Sequence, residues 1–202
     1  MAQTCTVKSK YDAVTYCPGQ RVLPGNRKRA YFIPKHAIKT WPTRAKNLEG
    51  ASGDAKKMVS YEGEFVLDAE TKWQRLDAIY GKIKFSYETQ GSDLSRTVLN
   101  KLELSHPVLD EEAAAFAAQV ICDDIVVAFQ RADGKFRLIG CEEYETQTDT
   151  SGDTGEKVTD ESGMKVTISC TDIAPAPFFP GTLDTADGKI SGADGSVSPE
   201  AA

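Results

Sequence analysis

Apolar and polar residues alternate most clearly in the middle of the chain. Between residues 59 and 67, Val59, Tyr61, Gly63, Phe65 and Leu67 alternate with Ser60, Glu62 and Glu64, the period of a strand with one buried face. Ile83, Phe85, Tyr87 and Thr89 alternate with Lys82, Lys84, Ser86 and Glu88. After Gln90-Gly91-Ser92-Asp93 the pattern returns through Val98, Leu102 and Leu104 against Lys101 and Glu103. Two such runs about a turn predict one long antiparallel hairpin over residues 81–104. The stretch Trp73–Ile79 fits a strand or a helical turn equally well.

The period changes at residues 110–122. Ala113, Phe116, Ala117, Val120 and Ile121 fall on one stripe of a helix, Asp110 is placed to cap it, and Glu111 and Glu112 suit its positive end. Ile125–Phe129 and Phe136–Ile139 are short apolar runs joined through Asp133-Gly134, a hairpin turn signal, and both are expected to be central strands. A strand near 142–148, a polar acidic loop over 146–163, and a last strand with Met164, Val166, Ile168 and Cys170 inward complete the pattern. The elements predict a mainly β (α+β) domain with one packed helix and long loops.

The flanks read differently. Residues 1–57 are rich in proline, glycine and basic side chains, and only Arg29–Ile33 looks like a strand. They are expected to form an extended arm that drapes over the domain or reaches a neighbour, with residues 15–46 docking on an adjacent subunit. Residues 58–181 form the core in this division, and 182–202 a small-residue tail. The 202 residues suit one such domain better than two.

A net charge of −6 argues against tight, phosphate-neutralising contact with nucleic acid. The charge is polarised. Residues 21–46 carry eight Lys and Arg and no carboxylate, whereas 142–161 carry Glu142, Glu143, Glu145, Asp149, Asp153, Glu156, Asp160 and Glu161. Opposed poles on one chain suit head-to-tail contact between copies, although two solvated loops would read the same way. The first residues lack the apolar stretch of a secretory signal and no run is long enough to span a membrane, so the chain is expected to stay where it is made.

Little catalytic chemistry is legible. The five cysteines (Cys5, Cys17, Cys122, Cys141, Cys170) form no C-x-x-C pair and are expected to be buried free thiols, a Cys5–Cys17 bridge being the alternative. His36 and His106 have no metal-ligand spacing and suit turns or caps. Asp184–Gly188 resembles the start of a calcium loop but has Ala186 where a carboxylate belongs. No nucleophile or phosphate-loop signature is present, so no catalytic residue, cofactor or metal is expected.

The chain resembles the major tail (tail-tube) proteins of tailed phages and prophages of Bacteroidetes. The resemblance runs over residues 5–179 and is carried by Cys17-Pro18-Gly19, Tyr31-Phe32-Ile33-Pro34-Lys35, Trp41-Pro42, Glu62-Gly63-Glu64-Phe65 with Trp73, Leu99-Asn100-Lys101-Leu102 with His106-Pro107, Gly134–Gly140 and Thr171–Phe179. It implies an antiparallel β-sandwich or partial barrel with the helix on one side. It further implies hexameric rings of identical subunits, stacked into a tube that passes DNA without reading its sequence. Its partners would be copies of itself and other tail proteins of the virion, made in the host's cytoplasm, with no enzymatic role and no membrane. Joined to the charge pattern, it makes Arg27, Lys28, Arg29, Tyr31 and Trp41 candidates for the assembly interface and Glu62, Glu64, Glu88 and Glu103 candidates for the lumen wall. The alternatives are a head–tail connector, a capsid decoration protein, or a secreted ligand-binding β-sandwich module.

Overall fold

The computed structural model describes residues 11, 13–19, 21–157 and 160–198. The first half of the chain forms β1 (Asn26–Pro34), β2 (Ile38–Thr40), β3 (Val66–Leu67), β4 (Gln74–Asp77), β5 (Ile83–Gln90) and β6 (Thr97–His106), followed by α1 (Glu111–Val120). The second half adds β7 (Ile125–Arg131), β8 (Phe136–Ile139), β9 (Thr146–Asp153), β10 (Gly163–Asp172), β11 (Phe178–Phe179), β12 (Thr182–Thr185), β13 (Gly188–Ser191) and β14 (Val197–Ser198). The fold is mainly β, its sheets are antiparallel, none closes into a barrel, and α1 is the one α-helix among the described residues.

A five-stranded sheet, β11-β8-β7-β1-β4, is apolar on both faces, which is why β7 reads as an unbroken apolar run. Ala30, Val127, Phe129 and Ile139 point one way, into a core shared with Ile83, Leu102 and Leu104 of the hairpin and with Met164, Val166 and Ile168. Those partners belong to the four-stranded sheet β5-β6-β10-β9. Helix α1 joins this core through Ala113 and Val120, with Phe116 meeting Phe32 edge-on at 4.9 Å between ring centres. Its first turn is held by Asp110, whose carboxylate accepts from the Ala113 N–H at 2.8 Å.

Tyr31, Ile33, Val126, Ala128, Phe136 and Leu138 point the other way, into a second core with Tyr61, Trp73, Phe179, Leu183 and Ile190. Here regular ladder is scarce. β2 pairs with β3, and β12-β13-β14 form a small sheet, while Phe65 touches Trp41, Tyr61, Trp73 and Phe179 at 5.1–6.5 Å between ring centres.

The hairpin over 81–104 is present, with Ile83 opposite Leu104 and Gln90 opposite Thr97. The helix occupies its expected place, and Asp133-Gly134 makes the β7–β8 turn, Gly134 taking φ +94° as that turn requires.

Other expectations are corrected. The strand over 59–67 is reduced to Val66–Leu67: Gly63 turns at φ +96°, so Tyr61 and Phe65 reach the core from a bent chain. Ile121, placed on the buried stripe of the helix, lies past its end and is 69% exposed. The polar run 146–153 is strand β9, one face of which is solvated, with the loop confined to the residues after it.

The largest correction concerns the arm. β1 lies between β4 and β7, with Ala30, Tyr31 and Ile33 buried, so residues 26–34 complete the chain's own core instead of docking elsewhere. Likewise residues 182–198, read as a tail, form the small sheet that seals the second core through Leu183 and Ile190.

Candidate functional site

The four-stranded sheet has an inner face of Leu102, Leu104, Val166 and Ile168 and an outer face without large apolar side chains apart from Leu99. Register builds that outer face. Lys84 sits opposite Glu103, Ser86 opposite Lys101 and Glu88 opposite Leu99 across β5 and β6, while Lys165, Thr167 and Ser169 of β10 meet Ser151, Asp149 and Gln147 of β9. Glu103 lies between two lysines, 2.9 Å from Lys101 and 4.0 Å from Lys165, and Lys101 holds its carboxyl below the usual range. These exposed pairs set the charge of this outer face more than the stability of the fold.

Neither edge strand of this sheet pairs with a further strand among the described residues, and the Asn26 side-chain amide donates to the outward Ile83 carbonyl at 3.2 Å. β5 and β9 are eight residues each, roughly 27 Å of strand. The Ser105 N–H donates to the Lys82 carbonyl at 3.2 Å, and that phase turns the backbone N–H groups of Ile83, Phe85, Tyr87 and Thr89 away from β6. On β9 the Thr146 N–H faces away from β10 and donates to Asp124 Oδ1 at 2.9 Å, so those of Thr148 and Thr150 share its outward phase.

The predicted interface residues are split. Arg27 and Lys28 are exposed on β1, Arg29 pairs with Asp77 at 3.6 Å, Tyr31 is buried, and Trp41 is half-buried against Phe65. Tyr31 is therefore a core residue, its hydroxyl pKa raised by burial. The four predicted wall carboxylates do not share a face. Glu88 and Glu103 stand on the outer face of the four-stranded sheet. Glu62, 3.6 Å from Lys57, and Glu64, which accepts from the Thr182 N–H at 2.6 Å, lie with the second core on the far side of the five-stranded sheet.

Beside Trp41, Arg44 makes a two-pronged ion pair with Asp172 at the end of β10, at 2.6 and 3.0 Å, both side chains 5–6% exposed. The guanidinium lies over the Tyr61 ring at 5.2 Å, and burial pushes the Tyr61 hydroxyl pKa well up. The pair ties the segment after Trp41 to the four-stranded sheet. Nearby, Cys141 and Cys170 are buried free thiols with sulfurs 4.0 Å apart, and the neighbouring thiol and burial raise the Cys141 pKa. Cys17 and Cys122 are free and exposed, which corrects their expected burial; Cys5 lies outside the described residues.

No family model, curated protein or solved structure matches this chain.

His36 lies 3.7 Å from Asp123, and His106 Nδ1 is 2.7 Å from the Asp77 carbonyl. Asp184–Gly188 is the β12–β13 turn, closed by the Thr185 hydroxyl donating to the Gly188 carbonyl at 2.6 Å. Among the described residues no three His, Cys, Asp or Glu gather as metal ligands, and no helix is long and apolar enough to cross a membrane. Sequence reasoning missed the β9 edge strand, because Thr146–Asp153 is polar, and it missed Arg137. The signal for Arg137 was a lone charge within the apolar run Phe136–Ile139.

Proposed function

We propose that this chain is a virion structural subunit, the major tail-tube protein of a tailed phage or prophage of Bacteroidetes, which self-assembles laterally into rings that stack into a DNA conduit. In this reading the five- and four-stranded sheets are the two layers of a β-sandwich, and the outer face of the four-stranded sheet is the lumen wall. The single observation that carries it is the pair of edge strands, β5 and β9, eight residues each, which pair with no further strand among the described residues and border a polar face. An exposed edge of that length is a template for pairing. Because β5 and β9 run antiparallel to each other, the β9 of one copy extends the β5 of the next without reversing the sheet, and repetition about an axis closes a ring.

The wall's composition suits DNA passage. Lys84, Lys101 and Lys165 are interspersed with Glu88, Glu103, Asp149 and Asp153, so the surface is close to neutral and does not grip phosphates through counterion release. The lumen set is thus Glu88 and Glu103, with Glu62 and Glu64 on the outside of the tube. Arg27 and Lys28 also lie away from the wall.

The test is to block each edge without touching the folded subunit. Thr89→Pro on β5 or Thr150→Pro on β9 removes an N–H that faces away from its own sheet. Each variant is expected to keep a native circular dichroism spectrum and to sediment as a monomer, whereas the wild-type chain sediments as a ring or larger. Normal assembly of both variants would refute edge pairing.

A further inference from the structure

The space between the two sheets opens at the β5 edge into a cleft of about 550 Å³ whose wall includes Phe85, Arg131 and Arg137 and whose rim is formed by Val22 and Leu23. Arg137 occupies an inward position on β8, which is why it faces Phe85 instead of water. Its guanidinium lies 4.7 Å from the centre of the Phe85 ring and 4.8 Å from that of Phe178, and its Nε–H donates to the Ala176 carbonyl at 2.6 Å. Arg131 lies 5.7 Å from the centre of the same Phe178 ring and reaches Asp133 at 3.5 Å. No carboxylate lies within ion-pair distance of Arg137 among the described residues. Burial and the positive charge of Arg131 pull its pKa down to about 10. Two guanidiniums held by aromatic rings, of which Arg131 alone reaches a carboxylate, form an unfilled receptor for an anion.

We propose that this cleft is a carboxylate receptor, filled by Glu111 or Glu112 at the start of α1 in a second copy of the chain. The proposal deepens the lateral-pairing reading and rests on it. Topology supplies the match. The β5 strand begins at the same end of its sheet at which β6 finishes, and the chain there passes through Val108 and Leu109 into α1. Leu109 packs over the inner face of Gly152 of β9, so the start of α1 lies on the inner side of the sheet beside the β9 edge, at the level where, on the opposite edge, the cleft opens beside Ile83.

Chemistry matches as well. The cleft offers two guanidiniums behind a rim of exposed Val22 and Leu23, and the facing edge offers two exposed carboxylates, Glu111 and Glu112, beside exposed Val108 and Leu109. Neither glutamate has an ion-pair partner among the described residues. Placing one against Arg137 neutralises a charge that the isolated subunit keeps largely desolvated and unpaired.

The experiment converts the guanidinium to an amine that carbodiimide can couple. Arg137→Lys protein is refolded together from an equal mixture of isotopically light and heavy chains, sized by sedimentation, cross-linked with carbodiimide and mapped by mass spectrometry. The expected result is a light–heavy link between position 137 and Glu111 or Glu112. Large assemblies that lack this link, or that link position 137 elsewhere or within one chain, overturn the receptor while leaving ring formation intact. The expected link found in species no larger than a dimer upholds the receptor and removes the ring. Monomers without the link refute both. Arg131→Lys, at the half-exposed mouth of the same cleft and combined with Asp133→Asn to remove the carboxylate it reaches in its own chain, gives the same readout where Arg137→Lys does not fold. Arg137→Met is expected to raise the concentration at half-assembly roughly tenfold or more, and an unchanged value would also overturn the proposal.

Discussion

The two cores on either side of the five-stranded sheet bury apolar surface by opposite means. Towards the four-stranded sheet, Leu102, Leu104, Val166 and Ile168 alternate along straight ladders and fill the gap in register. On the other side Trp41, Tyr61, Phe65, Trp73 and Phe179 arrive from bends and two-residue strands, and ring contacts do the work of periodicity. The first core can lose one aliphatic side chain and keep its ladder hydrogen bonds. The second has few ladder bonds, so its geometry depends on individual aromatic rings.

The sharpest way to break this contrast is Trp73→Ala. The ring is 1% exposed and sits edge-on to Phe65 at 5.5 Å, and its removal is expected to destabilise the fold by about 4 kcal/mol in denaturant titration. A loss below about 1 kcal/mol would show that the aromatic layer is dispensable. Next is Arg44→Met, which leaves Asp172 buried without its partner and is expected to cost about 3 kcal/mol; Arg44→Met with Asp172→Leu should recover much of that loss. A double variant as unstable as the single would mean that the contact of the Arg44 guanidinium with the Tyr61 ring, and not the ion pair, ties the layer down.

Phe116→Ala probes the helix on the regular side. The ring is half-buried and keeps one aromatic contact, to Phe32, so the expected loss is about 2 kcal/mol, less than for a fully enclosed ring. The smallest expected effect leaves stability untouched. A thiol reagent should modify Cys17 and Cys122 in the native protein within minutes, and Cys141 and Cys170 only on unfolding, since both are enclosed and the Cys141 pKa is raised. Fast native modification of Cys141 would mean that the region around Arg44 opens readily.

The same contrast explains what the sequence made legible. Period-two alternation found β5, β6 and β10, because each has one buried face, and period 3.6 with Asp110 found α1. It failed in both directions where the periods end. Tyr61 and Phe65 alternate as if on a strand, yet Gly63 bends the chain between them. Thr146–Asp153 is polar enough to pass for a loop, yet β10 holds it in register.

The basic arm misled because charge dominates residues 21–29, while its buried positions Ala30, Tyr31 and Ile33 are few and belong to a central strand. Where the four candidate carboxylates lie on the fold was half legible. Glu88 and Glu103 follow from the hairpin's own period, but Glu62 and Glu64 required knowing that the chain crosses to the opposite side of the five-stranded sheet.

The central claim is that copies join edge to edge through β5 and β9, with the four-stranded sheet facing inward. Electron microscopy of the purified chain tests it most directly. The account predicts rings or stacked tubes in which the sheets of adjacent subunits are continuous and Lys101 and Glu103 line the lumen. Monomers throughout, or a ring whose channel is lined by Arg27, Lys28 and Arg29, would contradict it.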